Sequence, residues 1–240
     1  MKPQFQPDQV MHGIRALTLD LDNTLWDIDS VIHRAEATLW QWLGEHYPRT
    51  HDRWSADDLI SLRRDIMNEH RDRHFDLRFL RKKVLEEVAK SSGYDESLVE
   101  PAFEIFDDVR NDVELYPDVP EALEALYSRY TVVALTNGNS NLDKIGIRHL
   151  FHGVVTAVDA GAAKPDRQIF DVAVDEAGVR PEEILHVGDH PTADIDGARQ
   201  AGMRTAWINR NAAVWPDELD HPDAVITTMV ELRELLESAR

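Results

Sequence analysis

The stretch IRALTLDLDNTL, residues 14–25, decides the fold of this chain. It begins as a run of apolar and β-branched residues and ends in the polar residues Asp20, Asp22, Asn23 and Thr24. This pattern predicts a buried β-strand that ends in a carboxylate-rich loop. Short apolar runs followed by turn residues recur in five later segments: 131–139, 153–158, 183–189, 204–209 and 223–227.

Helical patterns separate these predicted strands. Residues 120–127, 166–177 and 193–201 have helical spacing, with Pro near the start of the first and with Gly178 and Gly202 just beyond the ends of the other two. Strands that alternate with helices predict an α/β fold with a doubly wound, Rossmann-like, mostly parallel sheet. Ligands of such sheets bind beyond the carboxyl ends of the strands, where the polar residues at these strand ends are expected to converge.

One long stretch, residues 27–115, breaks the alternation. It has no strand pattern and contains four amphipathic helical patterns, which begin near Ser30, Ser55, Asp76 and Asp95. Ser and Asp are favoured at helix starts, and the second pattern opens with an approximate capping box. The sequence therefore predicts a helical cap domain at 27–115, inserted into an α/β core domain that comprises residues 1–26 and 116–240.

The composition limits the function. The 240 residues include 45 Asp and Glu against 26 Lys and Arg, which gives a formal net charge of -19. Such a surface repels a nucleic-acid backbone, so no nucleic-acid partner is expected. It also repels a phosphorylated substrate, so a phosphate site in this chain needs a local positive charge from Lys or a divalent metal. The absence of Cys excludes disulfides, thiolate zinc sites and Cys nucleophiles.

The sequence shows no targeting or membrane signal. The N-terminal residues MKPQFQPDQVMHGI lack an apolar leader, and no stretch approaches the roughly 18 to 20 apolar residues that span a bilayer. We therefore expect a cytoplasmic protein with no membrane partner.

Asp20 and Asp22 form a pair at the end of the first predicted strand. Residues two apart in an extended chain point to the same side, so these like charges lie close together and repel each other. Such a pair is retained where it binds a cation or where its members take different roles in proton transfer. Taken alone, an Asp-x-Asp sequence is better explained by a solvated loop, because Asp is common in turns.

Three further segments carry reactive side chains, in order and at predicted strand ends. They are LTNGN with Thr136, AAKPD with Lys164, and GDHPTAD with Asp189 and Asp194. Together with DLDNT at residues 20–24, they resemble the four motifs of the haloacid dehalogenase superfamily: Asp-x-Asp-x-Thr, a strand-terminal Ser or Thr, a Lys, and Gly-Asp separated by three or four residues from another Asp. The resemblance spans residues 17–207, and the helical insertion after the first motif is similar to the cap of the subgroup that carries it there.

The resemblance implies phosphoryl transfer through a covalent enzyme intermediate. Asp20 would attack phosphorus as the nucleophile. Asp22 would protonate the leaving oxygen and then deprotonate the water that hydrolyses the aspartyl phosphate. Thr136 and backbone N–H groups near Asn137 would hold the phosphoryl oxygens, and Lys164 would offset charge between the phosphate and the nucleophile.

The same resemblance implies a Mg²⁺ site. Asp20, Asp189 and Asp194, with the backbone carbonyl of Asp22, would supply the hard oxygen ligands that Mg²⁺ prefers. Asp194 has two alternatives, a contact with the metal through water and a role as a helix cap. The metal would also provide the positive charge that this acidic chain needs at a phosphate site.

The expected substrate is a small phosphorylated metabolite. Asp22 favours phosphoester chemistry, because the superfamily's dehalogenases transfer no proton to the halide and lack this second Asp. The segments LTNGN and EILHVGDHPTADIDGARQAGMRTAWINR are similar to those of bacterial phosphatases that act on flavin mononucleotide and on 5-amino-6-(5-phosphoribitylamino)uracil. The alternatives are a nucleotide or sugar-phosphate phosphatase, a phosphomutase, and a catalytically idle binding protein that keeps the fold.

Other residues near these motifs are expected to have structural roles. Thr24 should brace its loop through a local bond from its side chain to the backbone. His186 and His190 lack metal-ligand spacing, so a solvated or capping role is expected for both, with no zinc site. Trp26 is expected to pack in the core rather than against a substrate.

Overall fold

The computed structural model describes residues 11–239, so the first ten residues of the segment MKPQFQPDQVMHGI lie outside the described part of the chain. Its centre is a six-stranded sheet. The strands are β1 (Ala16–Leu19), β2 (Thr131–Thr136), β3 (Gly153–Thr156), β4 (Ile184–Gly188), β5 (Arg204–Ile208) and β6 (Ala224–Ile226).

The sheet has the order β3-β2-β1-β4-β5-β6, and every neighbouring pair of strands is parallel. β1 lies between β2 and β4, with Leu17 opposite Val132 on one side and Leu185 on the other. All residues of β1 are buried, as expected for an apolar run inside a parallel sheet. The predicted α/β, doubly wound fold is confirmed. Because the strand order reverses at β1, its carboxyl end lies at the switch point where ligands of such sheets bind.

Helices connect the strands and fill the long segment between β1 and β2. In chain order the α-helices are α1 (Ile28–His46), α2 (Arg49–Arg53), α3 (Ala56–Glu69), α4 (Leu77–Ser91), α5 (Val99–Arg110), α6 (Val119–Tyr127), α7 (Leu142–Ile145), α8 (Ala157–Ala160), α9 (Arg167–Ala177), α10 (Gly197–Gln200) and α11 (Met229–Ser238). A π-helical turn spans Pro191–Asp196, and 3₁₀ turns span Arg71–Arg73, Glu96–Leu98, Arg148–Leu150 and Pro181–Glu183. Among the described residues, no helix is both long and apolar enough to span a bilayer.

The chain divides into two compact units. Among the described residues, the α/β unit comprises those up to Asp27, Glu114–Gly138 and those from Gly146 onward. The helical unit comprises Ile28–Val113 together with Asn139–Ile145. The short segment that follows β2 therefore groups with the helices, although its position in the sequence assigned it to the α/β core.

Hydrogen bonds and an apolar core of its own hold the helical unit together. Hydrogen bonds join the segment after β2 to α5 and the residue that follows it: Asn141 N–H donates to Asn111 Oδ1 at 2.7 Å, and Lys144 Nζ donates to Asp107 Oδ2 at 2.9 Å. The buried side chains at the centre of this unit come mainly from α1, α4 and α5: Ala35, Leu39, Leu43, Leu85, Ala89, Leu98, Val99, Ala102, Phe103 and Phe106.

The helix starts predicted from capping residues are partly correct. Ser55 begins α3 with a capping box that Asp58 completes. Asp76 begins α4, where its side chain accepts a hydrogen bond from Phe79 N–H at 2.9 Å. Ser30 was expected to begin the first helix but lies inside α1, which starts at Ile28. Apolar spacing identifies the buried face of a helix, whereas local bonds at its end determine where it begins.

Candidate active site

Asp20 directly follows β1, at the middle of the carboxyl edge of the sheet. Its backbone N–H donates to the carbonyl of Val187 at 2.9 Å, which extends the parallel ladder to this residue. Two donors hold its buried side chain: Lys164 Nζ donates to Oδ1 at 2.6 Å, and Thr24 Oγ1 donates to Oδ2 at 3.0 Å. The orientation of the Asp20 carboxylate is therefore fixed through both of its oxygens.

Lys164 is a buried cation that two carboxylates share. Its Nζ donates to Asp20 Oδ1 and to Asp194 Oδ1, both at 2.6 Å, and to the carbonyl of Leu135 at 2.9 Å. These bonds use the three protons of the ammonium group. Burial by itself would lower the pKa of Lys164, but the charges of Asp194 and Asp20 raise it above its ordinary value. Lys164 is therefore protonated.

The loop after β2 holds Lys164 in place. Asn137 Oδ1 accepts from the Lys164 N–H at 2.7 Å, and Asn137 Nδ2 donates to the Lys164 carbonyl at 3.0 Å. Thr136 is buried at the end of β2, and its Oγ1 accepts from the Gly138 N–H at 2.8 Å. The sequence pointed to backbone groups near Asn137 as phosphate ligands and did not reveal that its side chain positions the lysine.

Asp194 lies in the π-helical turn after β4 and is only 1% exposed. Its Oδ1 accepts from Lys164 Nζ at 2.6 Å, and its Oδ2 accepts from the His190 N–H at 2.9 Å. His186 Nε2 lies 3.4 Å from Oδ1. Burial by itself would raise the pKa of Asp194, but the charge of Lys164 and the contact with His186 hold it below its ordinary value. Asp194 is therefore an ionised carboxylate, and both of its oxygens already bind protein donors.

The π-helical turn replaces the start of the helix predicted at 193–201, because the chain here wraps closely around Asp194. The turn approaches β4 at Gly188, where a Cβ atom would lie 2.4 Å from Asp194 Cγ. His190 caps the turn, as predicted, since its Nδ1 accepts from two backbone N–H groups at 3.2 and 3.1 Å. The side chain that caps this turn is thus His190 and not Asp194.

His186 has neither the solvated nor the capping role that was expected. It is fully buried in β4, and its Nδ1 lies 2.9 Å from Thr18 Oγ1 in β1. Burial lowers the pKa of His186, although the contact with Asp194 acts in the opposite direction. Its spacing in the sequence carried no sign of this role, because the partner residues come from different parts of the chain.

Asp20, Asp189 and Asp194 form a carboxylate cluster in which one oxygen of each lies within 4.8 Å of the others. Asp189 follows β4, and Trp207 Nε1 donates to its backbone carbonyl at 2.7 Å. Burial and the charge of Asp194 raise the pKa of Asp189 to about 7. Burial also raises the pKa of Asp20 to about 8, although Lys164 opposes the shift. The cluster is therefore short of positive charge.

The donor set of this cluster fits a divalent cation. Mg²⁺ prefers carboxylate oxygens and water in an octahedral shell, and its charge would balance the surplus negative charge of the three carboxylates. Both oxygens of Asp194 already accept hydrogen bonds from protein donors. The same is true of Asp20, so these bonds do not distinguish direct coordination from a contact through water.

Asp22 lies in the loop where the chain leaves the sheet. Its Oδ1 accepts from Trp26 Nε1 at 3.0 Å, and the two residues form an isolated β-bridge. Trp26 is fully buried, as predicted, and forms a second bridge with Leu115 where the chain returns. Asn23 has a φ of 61°, a left-handed conformation that Asn tolerates. The carboxylate of Asp22 is not one of the three in the cluster, so its predicted metal contact concerns the backbone carbonyl.

Thr24 has a different role from the predicted one. Its buried hydroxyl donates to the carboxylate of Asp20 and not to the local backbone. The backbone carbonyl of Thr24 in turn accepts from Arg210 Nε at 2.9 Å. Arg210 ends the segment RTAWINR, but an isolated Arg gives no sequence signal for a contact with a loop so far away in the chain.

Known proteins are similar to this chain over most of its length. Residues 14–202 match the family model for haloacid dehalogenase-like hydrolases. The chain is 29% identical to the 5-amino-6-(5-phospho-D-ribitylamino)uracil phosphatase YigB of Escherichia coli over 81% of this chain and 83% of the relative. It is 30% identical to a glyceraldehyde 3-phosphate phosphatase of Methanopyrus kandleri over 91% of this chain and 98% of that protein.

A solved structure extends the comparison to the whole fold. The crystal structure of a 2-haloacid dehalogenase from Pseudomonas syringae pv. Tomato matches with a TM-score of 0.88 and 36% identity, over 93% of this chain and 98% of that one. The expected enzyme class, a hydrolase of phosphoric monoester bonds, agrees with the phosphatase relatives. Because the family model covers well over half of the sequence, the chain belongs to the haloacid dehalogenase-like hydrolase family.

Proposed function

We propose that this protein is a phosphatase that hydrolyses a small phosphomonoester through an aspartyl-phosphate intermediate on Asp20. The observation that carries the proposal is the buried Asp20, whose Oδ1 lies 2.6 Å from Lys164 Nζ. This pairing provides an oriented nucleophile beside a cation that offsets the charge of an incoming phosphate. The phosphatases among the relatives support the same reaction.

In the proposed reaction, a carboxylate oxygen of Asp20 attacks phosphorus while the bond from phosphorus to the leaving oxygen breaks. Asp22, whose side chain Trp26 Nε1 orients at 3.0 Å, gives its proton to that leaving oxygen. Asp22 then takes a proton from water, and the water oxygen attacks phosphorus and frees Asp20. Thr136 and backbone N–H groups near Asn137 hold the phosphoryl oxygens during both steps.

The proposed cofactor is Mg²⁺, which Asp20, Asp189 and the backbone carbonyl of Asp22 would hold, with Asp194 contributing directly or through water. When bound, the ion offsets charge on the phosphoryl oxygens and favours the ionised form of Asp20. A hydrogen bond from Trp207 Nε1 to the Asp189 carbonyl, at 2.7 Å, holds the backbone of Asp189 in place. Lys164 keeps the carboxylate of Asp194 charged.

Dehalogenation is the second candidate, because the crystal structure with a TM-score of 0.88 is that of a 2-haloacid dehalogenase. That reaction also begins with attack by an Asp, but a halide leaves without a proton. Asp22 supports the phosphatase, since an alkoxide leaving group needs the acid that this residue provides. The two candidates differ in the ion that they release.

We further propose that the helical unit takes the role of the cap predicted at 27–115 and selects the leaving group. A cavity of about 430 Å³ in this unit has mainly apolar walls, to which Trp40, Leu59 and Leu85 contribute. Arg63 and Arg81 also line it.

The two guanidinium groups bind the two oxygens of Glu36, at 2.5 Å from Arg63 and 2.9 Å from Arg81. Two cations against one carboxylate leave a net positive charge in the cavity wall. This combination suits a ligand with an apolar ring surface and acceptor oxygens, a chemistry that flavin mononucleotide and a ribityl-uracil phosphate share.

The proposed partner is therefore a small phosphorylated metabolite of the cytoplasm, and nucleic acid is not one. Nucleotide and sugar phosphates are the nearest alternatives, because the groups that bind phosphate do not distinguish the alcohol attached to it. A phosphomutase would use the same first step with a sugar hydroxyl in place of water.

The experiment measures phosphate release from flavin mononucleotide, nucleoside monophosphates, sugar phosphates and the ribityl-uracil phosphate, and halide release from 2-chloropropionate. Wild type and Asp20→Asn are assayed with Mg²⁺. The proposal expects phosphate release that depends on Asp20, with a preference for the flavin-pathway compounds. Release of halide without release of phosphate would replace the phosphatase with the dehalogenase.

A further inference from the structure

Arg210 contacts the loop that follows β1. It lies two residues beyond β5, and its side chain is 9% exposed. Its Nε donates to the backbone carbonyl of Thr24 at 2.9 Å. β4 lies between β5 and β1 in the sheet, so the guanidinium reaches the loop of a strand that is not its neighbour.

Asp118 holds the guanidinium in this position. Arg210 Nη1 donates to Asp118 Oδ1 at 3.0 Å, and Nη2 donates to Oδ2 at 3.1 Å. The fork of an Arg matches a carboxylate in this way, and Lys cannot reproduce it. Met229 N–H also donates to Asp118 Oδ2, at 2.7 Å, and the guanidinium lies 4.1 Å from the centre of the Tyr116 ring. The orientation of Arg210 is thus determined on several sides.

Thr24 connects this arrangement to the reacting carboxylate. Its carbonyl accepts from Arg210, while its hydroxyl donates to Asp20 Oδ2 at 3.0 Å. We infer that Arg210, held by Asp118, is a positioning residue that fixes Thr24 and through it the attacking carboxylate of Asp20. This inference rests on the proposed function, because it assumes that Asp20 is the nucleophile.

Attack on phosphorus depends on the orientation of the Asp20 carboxylate. Lys164 binds Asp20 Oδ1 and Thr24 binds Oδ2, so the carboxylate keeps its orientation only while Thr24 stays in place. A displacement of about 1 Å in a reacting group can reduce a rate by about 100-fold. Loss of the Arg210 contact therefore acts on the chemical step and leaves the phosphate-binding groups intact.

The test compares Arg210→Ala and Arg210→Lys with Arg204→Ala, a control at the opposite end of the same strand whose side chain is 44% exposed. For Arg210→Ala we expect kcat to fall by about 10- to 100-fold with little change in KM, because position and not affinity is lost. Arg210→Lys should keep the fold but recover only part of kcat, since its ammonium cannot bind Asp118 and Thr24 together. Added guanidinium should partly restore kcat of Arg210→Ala and leave Arg204→Ala unchanged.

A second readout does not depend on turnover. Hydrogen exchange of the backbone amides in residues 21–26 should be faster in Arg210→Ala than in wild type, and unchanged in Arg204→Ala. Wild-type kcat in Arg210→Ala, while Asp20→Asn is inactive, would overturn the positioning role and leave the proposed function standing. If wild type shows no activity that depends on Asp20, the proposed function fails instead. The exchange rates then decide whether Arg210 holds the loop, and equal rates would overturn the inference.

Discussion

Lys164 Nζ donates to Asp20 Oδ1 across 2.6 Å, although 144 residues separate the two in the sequence. The contact exists because β1 and β2 are parallel neighbours, which brings the loop after β1 and the Asn137-bound Lys164 to one edge of the sheet. It places a permanent cation at the candidate nucleophile of a chain whose net charge is -19. This local charge offsets part of the negative charge that would repel a phosphorylated substrate.

Replacement of Lys164 by Met should affect both activity and stability. It removes the cation that faces the phosphate, so kcat/KM should fall by at least about 100-fold. It also leaves Asp20 and Asp194 buried without their shared partner, which should lower the free energy of unfolding by about 3 kcal/mol in metal-free protein. Urea denaturation and steady-state kinetics measure the two effects.

Lys144→Met is the matched control for this change. Lys144 also binds two carboxylates, those of Asp107 and Asp108, but its side chain is 43% exposed. Exposed ion pairs contribute little, so stability should change by less than about 1 kcal/mol and activity should not change. If both Lys variants behaved alike, the buried cation would have no special role.

Removal of divalent metal should abolish turnover. The cluster of Asp20, Asp189 and Asp194 is short of positive charge even with Lys164 beside it, and this shortage should also keep phosphate out of the site. Addition of excess Mg²⁺ after chelation should restore the rate of phosphate release. Asp189→Asn should raise the Mg²⁺ concentration at which half of the maximal rate is reached. Phosphate release in excess chelator at the wild-type rate would contradict the assignment of the metal site.

Arg81→Gln tests the role of the helical unit in substrate choice. The change removes one of the two guanidinium groups that bind Glu36 and so removes the net positive charge of the cavity wall. KM for the preferred substrate should rise by about tenfold, which corresponds to the loss of one polar contact. The kcat for p-nitrophenyl phosphate should not change. Arg78→Gln on the same helix, outside the lining of this cavity, is the control and should change neither constant.

Asp118 gives a pH dependence whose sign follows from its contacts. Burial by itself would raise the pKa of Asp118, but bonds from Arg210 and from the Met229 N–H lower it below its ordinary value. The ionised form therefore stabilises the fold above about pH 4, the value in an unfolded chain, and this contribution is lost as the pH falls below it. The difference in unfolding free energy between wild type and Asp118→Asn should shrink in acid. A difference that grew as the pH fell would contradict the assigned contacts.

Some features could be predicted from the sequence, because they follow from the spacing of apolar residues or from a sequence motif. The six strands follow from short apolar runs, and their polar ends meet because the strands are parallel. Asp20, Lys164, Asp189 and Asp194 come together in the structure as the order of motifs suggested. Asp20 and Asp189 directly follow β1 and β4, whereas Lys164 and Asp194 reach the same edge from the segment after α8 and from the π-helical turn.

The contacts that fix these side chains could not be predicted in the same way. Asn137, His186 and Arg210 each contact a residue far away in the sequence, and that pairing depends on the packed structure. The π-helical turn could not be predicted, because the apolar spacing of this segment is that of an ordinary helix. The wider turn that places Asp194 against Gly188 has no sign in that spacing. Local propensity identifies an element, whereas such bonds arise only when distant elements meet.

The central claim is that Asp20 itself carries the phosphoryl group. The direct measurement is acid quenching of Asp22→Asn during turnover of p-nitrophenyl phosphate, followed by peptide mapping by mass spectrometry. The p-nitrophenolate leaving group needs no proton, so this variant should form the intermediate but hydrolyse it slowly. The account predicts a phosphorylated peptide from residues 14–25, modified at Asp20 and absent from Asp20→Asn. Phosphate release by an active enzyme with no phosphorylated peptide, or with the phosphoryl group on another residue, would contradict it.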